Sequence, residues 1–170
     1  MGKLFLLMGV AGSGKSTWAM NHVSPLERYV SRDEIRFSMV AENEEYFSKE
    51  KKVFKRFATT INNYLHEDYN VYADATHLNK ASRNKLLRAI TEKPDEINII
   101  WVRTPLKDAL NQNENRKGTR SYVPKEVIHR MYNQLESPTF EEGFDTIYII
   151  EKDKKMQIRK KVKNDSTYYG

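Results

Sequence analysis

Apolar residues gather in short runs separated by amphipathic stretches. Leu4-Phe5-Leu6-Leu7-Met8, Ile97 to Arg103 (Ile-Asn-Ile-Ile-Trp-Val-Arg) and Thr146-Ile147-Tyr148-Ile149-Ile150 are near-continuous apolar runs. Runs of that length read as strands buried on both faces of a parallel sheet. Two weaker segments, Arg28-Tyr29-Val30-Ser31 and Asn70-Val71-Tyr72-Ala73, place β-favouring residues between turn signals. Helical periodicity fills the gaps between strands. Lys15 to about Asn21 predicts a first helix that ends before Ser24-Pro25, and Asp33 to Val40 a short second one. A long helix is predicted from Asn43, a good N-cap, to about Glu67, because Tyr46, Phe47, Phe54, Phe57, Ile61 and Leu65 fall on one face at spacings of three and four. Asn79 caps a further helix through about Ile90, Pro105 opens one toward Asn115, and Pro124 sits near the first turn of one carrying Val127, Ile128 and Met131. Strands alternating with helices predict a doubly wound, three-layer α/β domain with a mostly parallel five-stranded sheet, over residues 1–150. The pattern lapses after Ile150. Residues 151–170, with Lys152, Lys154, Lys155, Arg159, Lys160, Lys161 and Lys163, are expected to form a basic tail, either frayed in solvent or in auxiliary contact with a polynucleotide.

The first strand leads directly into Gly9-Val10-Ala11-Gly12-Ser13-Gly14-Lys15-Ser16-Thr17. This matches G-x-x-x-x-G-K-[ST], the phosphate-binding loop, in the strand-then-helix context the motif requires. Gly9, Gly12 and Gly14, with Ser13 between them, let backbone amides close around phosphates, and a helix beginning near Lys15 turns its free N–H groups toward the anion. Lys15 can bridge the β- and γ-phosphates, Ser16 offers a hydroxyl to hydrated Mg²⁺, and Thr17 is placed to reach the α-phosphate. A nucleoside triphosphate, ATP, and Mg²⁺ are the expected ligands.

Composition narrows the partners. With 29 Lys and Arg against 23 acidic residues the net charge is +6, which suits polyanion handling without requiring it. There is no cysteine, so disulfides, thiolate catalysis and zinc-thiolate sites are excluded. The apolar run after Lys3 is too short to span a bilayer and enters the glycine loop at once. A cytoplasmic protein with no membrane partner is expected.

A phosphate-binding loop specifies a nucleotide, and the groups that meet the γ-phosphate specify the reaction. No N-K-x-D base-reading motif of a GTPase is present, and Val71-Tyr72-Ala73-Asp74 only approximates a Walker-B strand. Two carboxylates stand at strand ends, where open α/β sheets bind ligands. Asp33 can take the proton of an acceptor hydroxyl, and Arg36, three residues on, can share its face and hold an acceptor phosphate. A helix cap at Asp33 with an ordinary ion pair is the plainer alternative. Asp74 can orient metal-bound water, contact the substrate with Thr76, or cap its turn, and His77 suits a turn residue. Arg116, Lys117 and Arg120 surround Gly118 in a candidate lid whose cation would clamp the transferring phosphoryl.

Taken together, Gly9 to Ala19, Ser31-Arg32-Asp33-Glu34-Ile35-Arg36, Asp74-Ala75-Thr76 and Asn113-Glu114-Asn115-Arg116 followed by Gly118-Thr119 and Val123-Pro124 closely resemble the kinase half of the bacteriophage polynucleotide 5′-kinase/3′-phosphatase family. The resemblance runs to about Leu135. It implies a P-loop kinase-type domain with an arginine-bearing lid that phosphorylates 5′-hydroxyl ends of DNA or RNA during nucleic acid repair, in the host cytoplasm if phage-encoded. By the same resemblance Asp33 is the general base, Arg36 binds the acceptor 3′-phosphate, Asp74 lies at the acceptor site, Lys15 and Ser16 hold ATP and Mg²⁺, and Arg116 is the lid arginine. The chain departs from the pattern at Gln112, at Ala75 and at Lys117, an extra residue before Gly118. Too little chain follows Ile150 for the phosphatase half, and no Asp-x-Asp motif occurs, so a stand-alone kinase is expected. The rival expectations are a nucleoside or sugar kinase on the same scaffold and a nucleic-acid-stimulated ATPase.

Overall fold

The computed structural model describes residues 1–162, and Lys163 of the expected tail lies outside them. The sheet is built from β1 (Leu4–Met8), β2 (Arg28–Ser31), β3 (Val71–Asp74), β4 (Ile97–Val102), β5 (Thr146–Ile150) and β6 (Met156–Lys160), in the order β2-β3-β1-β4-β5-β6. The first five are parallel. Six helices surround it: α1 (Lys15–His22), α2 (Arg32–Met39), α3 (Glu50–His66), α4 (Lys80–Ala89), α5 (Leu106–Glu114) and α6 (Lys125–Asn133).

The uniformly apolar β1 takes the centre, where a strand is covered on both faces. Its alternation separates two cores. Leu4, Leu6 and Met8 join Phe57, Ile61 and Leu65 of α3, Leu86 of α4 and Phe144 on one face. Leu7 packs with Ala19 of α1, Tyr72, Ile100 and Ile150 on the other. Because β3 lies on one side of β1 and β4 on the other, the chain reverses direction across the carboxyl end of β1. That switch point is where such sheets bind ligands, and β1, β2 and β3 deliver Gly9, Arg32 and Ala75 to it.

Three sequence expectations change. The sheet has six strands rather than five, because residues 156–160 pair antiparallel with β5 from Thr146↔Lys160 to Ile150↔Met156. Every side chain of β6 is exposed, so no hydrophobic alternation marks it; the backbone ladder and the turn closed by Glu151 N–H to the Lys155 carbonyl at 2.9 Å hold it. The long helix begins at Glu50 rather than Asn43. Glu44 accepts from the Ala41 N–H and pairs with Lys49, whose ammonium donates to the Met39 carbonyl, and these contacts fold residues 41–49 into successive turns. Finally, α2 is capped by Ser31, whose hydroxyl accepts from Glu34 N–H at 3.2 Å. Asp33 therefore stands inside the first turn with its carboxylate free of cap duty.

A buried ion pair that periodicity did not reveal ties α4 to the segment before β5. Arg83 of α4, fully buried, donates to both carboxylate oxygens of Glu142 and to the carbonyls of His77 and Glu136. Each of these bonds satisfies a charge that would otherwise be stranded away from water. Phe144, fully buried beside this segment, has no polar compensation for its removal. Phe144→Ala is expected to destabilise the fold by about 3–5 kcal/mol, read as a fall in the urea midpoint with an unchanged denaturant slope.

Candidate active site

The loop after β1 is shaped by backbone conformation. Gly12 and Gly14 have φ of +81° and +96°, in the left-handed region, and a Cβ on Gly12 would lie 2.4 Å from the Ala109 carbonyl oxygen. Only glycine fits there. Gly14 is the N-cap of α1 and provides no side-chain cap, so the first N–H groups of α1 are open to an anion. Lys15 folds back across the loop, its ammonium donating to the carbonyls of Gly9 at 2.9 Å and Val10 at 3.3 Å. Burial lowers its pKa below the ordinary lysine value, against the opposing charges of Asp74 and Asp33. Ser13 is buried, with its hydroxyl unpaired among the described residues. Uncapped amides, a lysine held only by backbone carbonyls and an orphaned hydroxyl make a cradle that fits a polyphosphate.

Asp74 ends β3 against this loop. It accepts from the Ser16 hydroxyl at 3.0 Å and, on the same oxygen, from the Tyr29 hydroxyl. Burial first, then the Asp74 charge, raises the Tyr29 pKa and keeps the phenol a donor. A hydroxyl and a carboxylate side by side are hard oxygen donors of the kind that hold Mg²⁺, directly or through water, once phosphates supply the remaining ligands. Ser16 and Asp74 thus stand together on the metal-competent side of the site.

The other side of the site is organised around Arg36, which is buried although charged. Its Nε and Nη2 donate to the two carboxylate oxygens of Glu50, and its Nη1 donates to Asp33 Oδ1 and to the Tyr46 hydroxyl. Arg32 also donates to Glu50, at 2.9 Å. Burial works against the Arg36 charge, but the Glu50 hydrogen bond, supported by Tyr46 and Asp33, raises its pKa overall. Asp33 has 65% side-chain exposure. It receives Arg36 Nη1 and Tyr46 Oη on Oδ1, and Oδ2 has no partner among the described residues.

A cavity of about 500 Å³ joins these groups. Ala11 to Ser16, Asp33, Arg36, Asp74, Thr76 and Arg116 line it together with the apolar Phe54, Phe57, Leu86, Val127 and Met131. The structure thus gathers most of the residues singled out in the sequence. Thr17 is exposed on α1 and does not line the cavity. Thr76 donates no side-chain bond in the described set; its carbonyl accepts from Gly9 N–H at 3.0 Å and fixes the loop's entry. His77 is a buried turn residue with φ of 46° whose ring meets the Leu7 carbonyl at 2.6 Å.

The lid residues divide. Arg116 reaches the cavity, Lys117 is exposed outside it, and Arg120 donates to the Phe37 and Val40 carbonyls with its guanidinium 4.6 Å from the Phe37 ring. Arg120 therefore ties the lid to α2. Buried Asn113 pins its base by bonding Val123 N–H and carbonyl. Tyr29, Tyr46 and Glu50 were not singled out in the sequence as site residues. Tyr46 falls on the predicted apolar helix face, and only the third dimension turns it and Glu50 to Asp33 and Arg36.

A sequence profile of the AAA domain matches residues 4–138. The chain belongs to this family. Among solved structures similar to this AAA domain is a chain of the Pnkp1/Rnl/Hen1 RNA repair complex, with a TM-score of 0.70 and 24% identity over 99% of this chain and 51% of that one. This AAA domain therefore spans about half the length of that relative. Chaetomium thermophilum Kti12, solved in complex with ADP-AlF3, gives 0.66 and 16% over 88% and 89% of the two chains. A gluconokinase from Sinorhizobium meliloti 1021 gives 0.59 and 17% over 88% and 82%. No curated protein matches the chain in sequence. The fold of this AAA domain is that of the P-loop kinases, with a nucleotide-binding loop, and no helix among the described residues is long and apolar enough to cross a membrane.

Burial lowers the pKa of His77 from its ordinary 6.5 to about 4. The unfolded chain therefore binds the extra proton first as pH falls, so this residue's stabilising contribution is complete above about 6.5 and is lost toward about 4. The urea midpoint is expected to fall across that window, and His77→Asn to fall less steeply; parallel profiles would show that His77 is not the group responsible.

Proposed function

We propose that the protein transfers the γ-phosphoryl group of ATP, with Mg²⁺, to the 5′-hydroxyl of a DNA or RNA end. The observation that carries this reading is the state of Asp33: in the same cavity as the phosphate loop, its Oδ1 is held by Arg36 and Tyr46 while Oδ2 is left for an acceptor hydroxyl. A carboxylate placed so can accept the hydroxyl proton as the oxygen attacks phosphorus, an effect worth about 10²–10⁴-fold.

The other residues take roles that follow from their contacts. Lys15 exchanges its two carbonyl partners for phosphate oxygens, and Arg116 closes from the lid onto the transferring group, where such a cation is worth about 10³-fold or more. Ser16, backed by Asp74 and Tyr29, would hold Mg²⁺, which when bound would neutralise charge on the phosphates. Arg36 acts first as a positioning residue for Asp33, since Glu50 already holds the edge of its guanidinium. An acceptor phosphate meets Arg36 there only by competing with Glu50. The apolar part of the cavity lining, with Phe54, Phe57 and Met131, suits a nucleobase better than a sugar bristling with hydroxyls. That lining favours a nucleic acid end over the carbohydrate acceptors of kinases that share the fold. The likeness to a chain of an RNA repair complex supports the same choice, and β6 extends the proposed kinase domain beyond residue 150.

The reading is tested with γ-labelled ATP and a 5′-hydroxyl oligonucleotide. Labelled ends are expected from the wild type, with the rate reduced about 10²–10⁴-fold in Asp33→Ala and about 10³-fold in Arg116→Ala, and nearly abolished in Lys15→Ala. Phosphate release without labelled ends would identify an ATPase, and labelling of a free sugar in place of the oligonucleotide would identify a small-molecule kinase. Glu50→Ala is expected to lower kcat by loosening Asp33 while improving KM for an acceptor bearing a 3′-phosphate, because the Arg36 fork is released; a matching fall in kcat/KM for acceptors with and without that phosphate would remove the competition argument.

A further inference from the structure

A second groove lies outside the machinery described above. It has a volume of about 490 Å³ and is lined by Met39 at the end of α2 and by Lys49, Lys52, Lys55, Arg56 and Thr59 of the α3 side. Four of its six lining residues are cationic and none is a carboxylate. Lys49 is occupied by the Met39 carbonyl and by Glu44. Lys52, Lys55 and Arg56 are exposed and pair with no acid among the described residues. They are three and four positions apart on one helix, so they repel one another without compensation. Such a stripe is stable as a partner surface for a polyanion.

The groove and the cavity meet along the chain at the start of α3. Lys49 lines one, and the next residue, Glu50, lines the other and binds Arg36. Phe47, two residues before Lys49, lines the cavity and is 53% exposed although it packs edge-on against Tyr46 at 4.6 Å, an aromatic surface on which a base can stack. Lys52 and Arg56, one helical turn apart, are separated by about 6 Å along the axis, close to the step between successive phosphates of an extended strand.

We propose that this groove carries the single strand that follows the acceptor end, its backbone phosphates against Lys52, Lys55 and Arg56 and its base stacked on Phe47 where it leaves the cavity. The direction of the strand rests on the 5′-kinase reading; the binding itself does not. A groove that accommodates one or two nucleotides against a single helix face selects a single strand over the broad surface of a duplex.

The test is Lys52→Ala/Lys55→Ala/Arg56→Ala in the full chain, with alanine at exposed helical positions preserving the helix and the thermal midpoint confirming it. Binding of a 3′-fluorescein single strand of about 12 nucleotides is followed by anisotropy over a salt series. The variant is expected to bind about tenfold or more weakly at low salt, with a log–log salt slope shallower by about 2, the share of three single-strand phosphate contacts. Phosphorylation of a 3′-phosphonucleoside, too short to reach the groove, is expected to be unchanged. Wild-type affinity and slope in the variant would overturn the proposal, as would a defect seen with phosphatidylserine vesicles but not with the strand. Groove-dependent binding by a wild type that labels no 5′ end would leave the groove standing and overturn the kinase reading instead.

Discussion

Asp74 draws three strand ends to one point. Its carboxylate closes β3, receives the hydroxyl of Ser16 from the loop after β1, and receives the phenol of Tyr29 from β2. The carboxylate is buried, so these hydrogen bonds are what make its charge tolerable there. Withdrawing either donor leaves a charged oxygen under-satisfied, a far larger cost than the net gain of an ordinary hydrogen bond. The register of β1 between β3 and β4 places Leu7 opposite Asp74 and Ile100, so the sheet's own ladder sets the reach between Ser16 and the carboxylate. Packing, not loop flexibility, therefore decides the geometry of the phosphate side.

The side around Arg36 uses the opposite device. Instead of one carboxylate served by neutral hydroxyls, it concentrates Arg32, Arg36, Asp33 and Glu50 in alternation, with Tyr46 bridging Arg36 and Asp33. Burying Arg36 is acceptable because Glu50 meets it bidentately, and the raised Tyr46 pKa, pushed up to about 12 by burial and by Asp33, keeps that bridge a donor. The consequence is a carboxylate, Asp33, fixed on one oxygen and open on the other. Preorganisation of this kind lets the site meet developing charge without rearranging.

Between the two sides the candidate lid is anchored at both ends and exposed in the middle. Asn113 fixes its base and Arg120 its far arm against α2, while the exposed residues 117–119 bond, among the described residues, only within the segment's own turns, to Glu114, Arg116 and Tyr122. Arg116 and Lys117, adjacent in sequence, are separated by this anchoring: one turns into the cavity and the other into solvent. The same α2–α3 corner carries the basic groove, so lid, acceptor pocket and proposed strand path share one structural support.

The sequence by itself determined the parallel sheet, because buried strands need unbroken apolar runs, and the phosphate loop, because no residue but glycine reaches φ near +81° with a carbonyl oxygen 2.4 Å from where a Cβ would stand. It also placed Asp33, Asp74 and Arg116 near strand ends or in a lid, and the cavity brings them together. Tertiary structure alone decided the rest. Strand β6 is held by backbone hydrogen bonds with every side chain in solvent, so no periodicity could announce it. Glu50 and Tyr46 come to the site from a segment whose spacing imitates a continuous helix, and their contacts with Arg36 and Asp33 span 10 to 14 residues of chain. Local pattern records which face a residue prefers; which other charge waits on that face is fixed only when the elements pack.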